Sequence, residues 1–134
     1  MEFAQQDEQE RYARHIIGPD GQKRLKESKV LIIGAGGLGS SVAEDLARAG
    51  VGELGLADHD VVEFANLLHQ GMHDTASVGM PKVESAAKRL AQINPNVNVN
   101  PLKIAITAEN ANEILKNYDN NYILISFMQL YRTF

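Results

Sequence analysis

The sequence predicts an α/β fold built on a parallel sheet, and three observations predict it. Strand-sized apolar runs alternate with helical stretches along the chain. The first run, Val30 to Ile33, is apolar at every position, as a strand buried on both faces requires. A glycine-rich turn, Gly34 to Gly39, follows it at once and leads into a helical stretch.

The elements follow in order. Tyr12, Ile16 and Ile17 fall among charged residues, so Gln5 to Ile17 reads as a short amphipathic helix ahead of the sheet. Gly18-Pro19-Asp20-Gly21 is a turn by composition, and Gln22 to Glu27 forms a further helical turn or two. Lys29 to Ile33 is the first strand. Ser40 to Ala49 is helical and Gly50 stops it. Glu53 to Ala57 is a second strand ending at Asp58. After a polar connection, His59 to Gly79, Pro81 suits the first turn of a helix running to about Ile93. Asn94-Pro95-Asn96 closes that helix. Val97 to Ile104 reads as a third strand, Ala108 to Lys116 as a helix and Tyr122 to Phe127 as a fourth strand.

Bulk properties remove several function classes. A chain of 134 residues, 44% hydrophobic, suffices for one compact core. Its net charge of -4 offers no footprint for a nucleic-acid backbone. Without cysteine there is no disulfide, no Cys-based zinc site and no thiol nucleophile in these residues. The polar, acidic Met1 to Glu10 is unlike an export signal, and the apolar runs fall far short of the ~20 residues that span a bilayer. A cytoplasmic protein without membrane or nucleic-acid partners is expected.

Gly34-Ala-Gly36-Gly37-Leu-Gly39 is a G-x-G-x-x-G pattern between a strand and a helix. Its glycines permit the tight turn, phosphate approach and close helix–strand packing, and the helix N-terminus presents unpaired N–H groups to the anion. An acid about 20 residues further on, at the end of the next strand, completes the fingerprint by binding a ribose hydroxyl, and Asp58 stands there. The fold is therefore read as Rossmann-like, with helices on both faces. The fingerprint alone favours NAD and an oxidoreductase. The stretch that follows favours ATP, because it adds Asn66, His69 and Lys82, groups able to meet the charge that spreads over phosphate oxygens during transfer.

The joint spacing of these motifs resembles the MoeB/ThiF/HesA family, the adenylyltransferases related to ubiquitin-activating enzymes. The likeness is carried by Arg11-Tyr-Ala-Arg14-His-Ile, Gly21-Gln22, the run from Lys29 to Gly39, Ala49-Gly-Val-Gly52, Asp58-x-Asp60, Asn66-Leu67, Gly79-x-Pro81-Lys82 and Ile93-Asn-Pro95. It covers roughly residues 10 to 120. The resemblance implies ATP with Mg2+, and activation of the C-terminal glycine of a ubiquitin-like sulfur carrier as an acyl-adenylate, as in molybdopterin or thiamine biosynthesis. It implies that Gly34, Gly36, Gly37, Gly39, Asp58, Asp60, Asn66 and Lys82 bind the nucleotide, and that Lys82, His69 and Arg14 assist the reaction. Arg14 would reach the ATP of a partner subunit, which makes the expected unit a homodimer. No protein metal ligand is assigned.

Two departures from the family pattern bear on activity. His69 stands where the family has arginine, and a histidine has no bidentate fork and is largely neutral at pH 7. After the fourth strand the family carries an acidic Asp-x-Thr-Asp-Asn segment that binds magnesium and ATP, whereas Ser126 to Phe134 holds no carboxylate. The expectation is a chain truncated or frame-shifted near Ile125, impaired in catalysis and lacking the family's zinc cysteines. Its organisation is expected to be an N-terminal helical segment, residues 1–27, and an incomplete ATP-binding domain, residues 28–134. The alternatives are a non-catalytic nucleotide- or partner-binding remnant and, further off, an NAD-dependent oxidoreductase.

Overall fold

The computed structural model describes residues 5–118 and the backbone of 124–125. Two helices come first, α1 (Gln5–Arg11) and α2 (Gly18–Glu27). The first strand β1 (Lys29–Ile33) then leads into α3 (Gly37–Ala49), β2 (Glu53–Ala57), α4 (Lys82–Ile93), β3 (Asn98–Leu102), α5 (Ala111–Leu115) and β4 (Leu124–Ile125). The strands form one sheet in the order β3-β2-β1-β4. Every pairing is parallel, with Ile32 opposite Leu56 and Leu54 opposite Val99. The α/β class with helices on both faces is therefore the observed one.

Alternation along β1 decides which face each side chain serves. Val30 and Ile32, with Leu54 and Leu56 of β2, pack against Ala43 and Ala47 of α3 and against Val83, Ala86 and Leu90 of α4. Leu31, Ile33 and Ala57 point the other way, onto Ile114, Leu115 and Tyr118 at the α5 end of the chain. Ile32, Leu54, Leu56 and Leu90 are fully buried, each contributing roughly 1.5–3 kcal/mol of apolar transfer energy. This core holds the C-terminal ends of β1 and β2 side by side, and the functional loops leave from those ends.

Several boundaries differ from the expected ones. The helix expected over 5–17 ends at Arg11, and Gly18 to Gly21 is the first turn of α2 instead of a loop, with Pro19 at a position where its missing N–H costs nothing. The third helix starts at Gly37, inside the glycine turn, not at Ser40. The strand over 97–104 shortens to β3, whose Pro101 is tolerated because β3 pairs only with β2 among the described residues. The helix expected over 108–116 shortens to α5, because Thr107 and Asn110 form a side-chain turn ahead of it, Thr107 N–H donating to Asn110 Oδ1 at 2.8 Å. Of the strand expected over 122–127, the pairing of β4 with β1 is described, and the segment from Ser126 to Phe134 lies outside the described residues.

Candidate nucleotide site

The glycine turn is held from three sides through one residue, Ala35. Its N–H donates to Asp58 Oδ2 at 2.7 Å. Its carbonyl accepts from Ser40 Oγ at 3.1 Å and contacts His73 Nε2 at 3.2 Å. Gly34 sits at φ 98°, a left-handed conformation that side chains rarely tolerate. The other glycines differ in kind. A Cβ at Gly39 would collide with the carbonyl of Gly34, so that glycine serves helix–strand packing. A Cβ at Gly37 would meet only the His69 carbonyl, at an ordinary 3.6 Å. The protein itself does not forbid a side chain there, and the exposed position faces open space.

The N-terminus of α3 carries no side-chain cap: Gly36 precedes it, and the first helical bond runs from Ser40 N–H to the Gly36 carbonyl at 2.8 Å. The amides of Gly37, Leu38 and Gly39 thus form an uncapped helix start, the dipole's positive end, of the kind that can receive an anion.

Asp58 is buried at the end of β2, with Oδ1 accepting from Asp60 N–H at 2.8 Å. Each carboxylate oxygen keeps a further lone pair. Beyond it the chain doubles back, Val61 bridging Pro81 antiparallel and Lys82 N–H donating to the Asp60 carbonyl at 3.0 Å. This fold-back brings the start of α4 under the end of β2. Lys82 is consequently buried, 7% exposed, with Nζ 3.9 Å from Asp60 Oδ2, beyond hydrogen-bond length. The side chain is thus enclosed along its length while its ammonium is only loosely paired.

Asn66 ends a single 3-10 turn, Phe64–Asn66, and its Oδ1 accepts from Glu63 N–H at 2.9 Å. That bond fixes the carboxamide and leaves Nδ2 as its donating end. His69 is exposed, and its backbone carbonyl, not its ring, faces Gly37. Asp58, His59 and Asp60 offer ligand atoms within 4.8 Å of one another. Backbone amides bond the Asp58 oxygens, while His59 lies 3.3 Å and Lys82 3.9 Å from the Asp60 carboxylate.

Arg14 stands elsewhere. Arg11 Nη1 donates to the Ile93 carbonyl at 3.0 Å, Asn94 Nδ2 donates to Tyr12 Oη at 2.8 Å, and Tyr12 and Gln22 crowd Gly50. These contacts lie at the C-terminal ends of α3 and α4, and α3 with its 13 residues is roughly 20 Å long. Arg14 is exposed in the connection that follows, at the end of the molecule away from the glycine turn.

Residues 9–123 match the ThiF family. The chain belongs to that family. Over 123 residues this ThiF-family chain is 46% identical to adenylyltransferase and sulfurtransferase UBA4 of Saccharomyces cerevisiae, aligning 88% of the chain with 28% of that protein. Over 117 residues it is 46% identical to the sulfur carrier protein adenylyltransferase of Thermus thermophilus, with 84% and 43% covered. The E. coli tRNA N6-threonylcarbamoyladenosine dehydratase, solved in complex with ATP, superimposes with a TM-score of 0.79 at 28% identity, covering 87% of this chain and 48% of that one. The chain thus spans less than half the length of each of these relatives.

Four residues of the site escaped the sequence reading. His73, which lies in the polar connection, is 6% exposed and bonded at both ring nitrogens. Ser40 and Ser85 are buried beside it, and Gln70 Oε1 is buried with no partner among the described residues. One signal was available: Ser85 follows Lys82 by one helical turn, so the two share a face.

Proposed function

We propose that this chain carries the ATP site of an adenylyltransferase acting on the C-terminal glycine of a ubiquitin-like sulfur-carrier protein, of the molybdopterin or thiamine type. The observation that carries the reading is Lys82, a largely buried lysine held 3.9 Å from Asp60 just beyond Asp58, in a fold whose α3 starts uncapped. In the reaction a carboxylate oxygen of the carrier bonds to the α-phosphorus of ATP, the bond to the bridging oxygen breaks, and pyrophosphate leaves with that oxygen. Charge accumulates on the phosphate oxygens, and preorganised amides with a desolvated cation stabilise it more than water does.

On this reading Gly36, Gly37 and the start of α3 receive phosphate, with Gly34 and Gly39 shaping the turn. Asp58 takes the ribose, Asp60 orients Lys82, and the Asn66 carboxamide donates to a phosphate oxygen. His69 contributes less than an arginine would. Mg2+ travels with the triphosphate, supplying charge neutralisation, and no described residue is assigned to it. The placement of Arg14 away from its own glycine turn supports a homodimer in which it serves the partner's ATP. A cytoplasmic setting accords with this use of ATP. Among the described residues no helix is long and apolar enough to cross a membrane. We further take residues 1–27 as a helical segment contributing to the dimer and residues 28–134 as the nucleotide domain.

His69 favours a second reading, a nucleotide binder with little turnover. Calorimetric titration with ATP and Mg2+, followed by carrier-dependent ATP–pyrophosphate exchange, separates the two. Binding with slow exchange that His69→Arg accelerates severalfold supports the enzyme. Binding with no exchange in either form supports the second reading. Binding of NADH in preference to ATP overturns both.

A further inference from the structure

We propose that His73 is the positioning residue that sets the glycine turn for phosphate, acting as a neutral imidazole protonated at Nε2. The proposal rests on the ATP reading above and concerns a residue which that reading does not use.

The hydrogen-bond chemistry dictates the tautomer. Nε2 lies 3.2 Å from the Ala35 carbonyl, and a carbonyl only accepts, so Nε2 carries the proton. In the neutral ring Nδ1 is then bare, and the Ser85 hydroxyl at 2.7 Å donates to it. The chain of bonds runs from α4 through the imidazole to the middle of the turn. Burial favours this uncharged form, and Lys82 acts in the same direction by repelling a second cation, while the Ala35 carbonyl, Asp58 and Asp74 oppose it.

The consequence lies in the peptide geometry. With the Ser40 hydroxyl, His73 saturates both lone pairs of the Ala35 carbonyl, and Asp58 takes the Ala35 N–H. With that carbonyl held inward, the amides of Gly36 and Gly37 are left for an anion, as in other successive-amide concavities. Ser85 sits one turn beyond Lys82 on the same buried face of α4. The His73–Ser85 bond therefore also registers the Lys82 ammonium against the turn. Both bonds also satisfy the buried ring, so the role at the turn is read from where they lead, to the Ala35 carbonyl and to α4.

The test uses the full chain, with ATP and adenosine as paired calorimetric probes. His73→Leu is expected to weaken ATP tenfold or more while changing adenosine less than twofold, because only phosphate depends on the turn. His73→Gln, whose carboxamide can donate to the Ala35 carbonyl, is expected to recover most of the ATP affinity. Equal losses for ATP and adenosine, or undiminished ATP binding in His73→Leu, overturn the proposal alone. An unsubstituted chain that binds no ATP overturns the nucleotide reading and this proposal with it. Should His73→Leu fail to fold, the imidazole 15N spectrum of the unsubstituted chain decides. A proton on Nε2 with an acceptor-type Nδ1 supports the proposal, and a proton on Nδ1 overturns it.

Discussion

The two ends of the α3–α4 pair use similar polar groups to opposite effect. At the C-terminal end Asn94 is completely buried, with both donors of its carboxamide and its oxygen bonded. Nδ2 donates to Tyr12 Oη and to the Ala47 carbonyl, both at 2.8 Å, and Oδ1 accepts from Asn96 N–H at 3.2 Å. Gln22 Nε2 adds a bond to the Ala49 carbonyl at 2.8 Å, which seals the last turn of α3. At the N-terminal end the helix start is uncapped, Lys82 is buried without a hydrogen bond to Asp60, and Gln70 Oε1 has no partner among the described residues. A closed network serves stability, because leaving any member unsatisfied costs about 1–3 kcal/mol. An open one marks where the fold has accepted that cost for a ligand.

Reciprocal substitutions give the sharpest test of this contrast. Lys82→Met is expected to weaken ATP about ten- to a hundredfold, the worth of a charge-assisted phosphate contact, while leaving stability unchanged or raised. Asn94→Ala should do the reverse, costing about 2–3 kcal/mol in urea unfolding because the Ala47 carbonyl and Tyr12 hydroxyl lose their partner, with ATP affinity preserved. If Asn94→Ala abolished ATP binding in a chain that remained folded, the two ends would not be separable.

Acid should act next through His73, the fully bonded support of the N-terminal end. The folded-state pKa of His73 lies below its ordinary 6.5, first because burial disfavours the charged ring and then because of Lys82. The unfolded chain therefore binds the proton first. The stability due to His73 is whole above 6.5 and is lost as pH falls from there through the folded-state value. One such group contributes at most about 1.4 kcal/mol per pH unit. Denaturation midpoints followed from pH 7.5 to 5 should show this slope, and His73→Gln should remove it. The charged groups bearing on the ring are Lys82, Asp58 and Asp74.

The smallest expected effect is at Gly37. An alanine there meets only the His69 carbonyl at 3.6 Å and favours the first turn of α3, so stability should rise by a few tenths of a kcal/mol. Phosphate affinity should fall severalfold, since the methyl group occupies the open side of the turn. Paired ATP and adenosine titrations of Gly37→Ala would show the loss for ATP alone. An unchanged ATP affinity would mean that the space beside Gly37 is not the phosphate's.

Much of this was legible from one dimension. The unbroken run at Val30 to Ile33 and the spacing of the glycines set the class and the turn, and placed Asp58 at the end of β2, because each depends on residues close in sequence. The motif spacing from Arg11 to Pro95 led to the ThiF family, which residues 9–123 match. Helix ends were less legible: Gly18-Pro19-Asp20-Gly21 has a turn's composition, yet packing of Leu25 against the core makes it helix.

The tertiary structure alone decided what joins the glycine turn to α4. His73 is 38 residues from Ala35 and 12 from Ser85, separations that no local pattern encodes. Their meeting follows from the antiparallel return of residues 60–62 along 79–82, itself a matter of backbone hydrogen bonds without a side-chain signature. Which glycine serves packing and which leaves room was likewise settled in space, by the distance from each Cα to its neighbours. Composition and spacing name the chemistry a chain can perform. Whether a polar group is spent on the fold or kept for a ligand depends on partners that only folding brings within bonding distance.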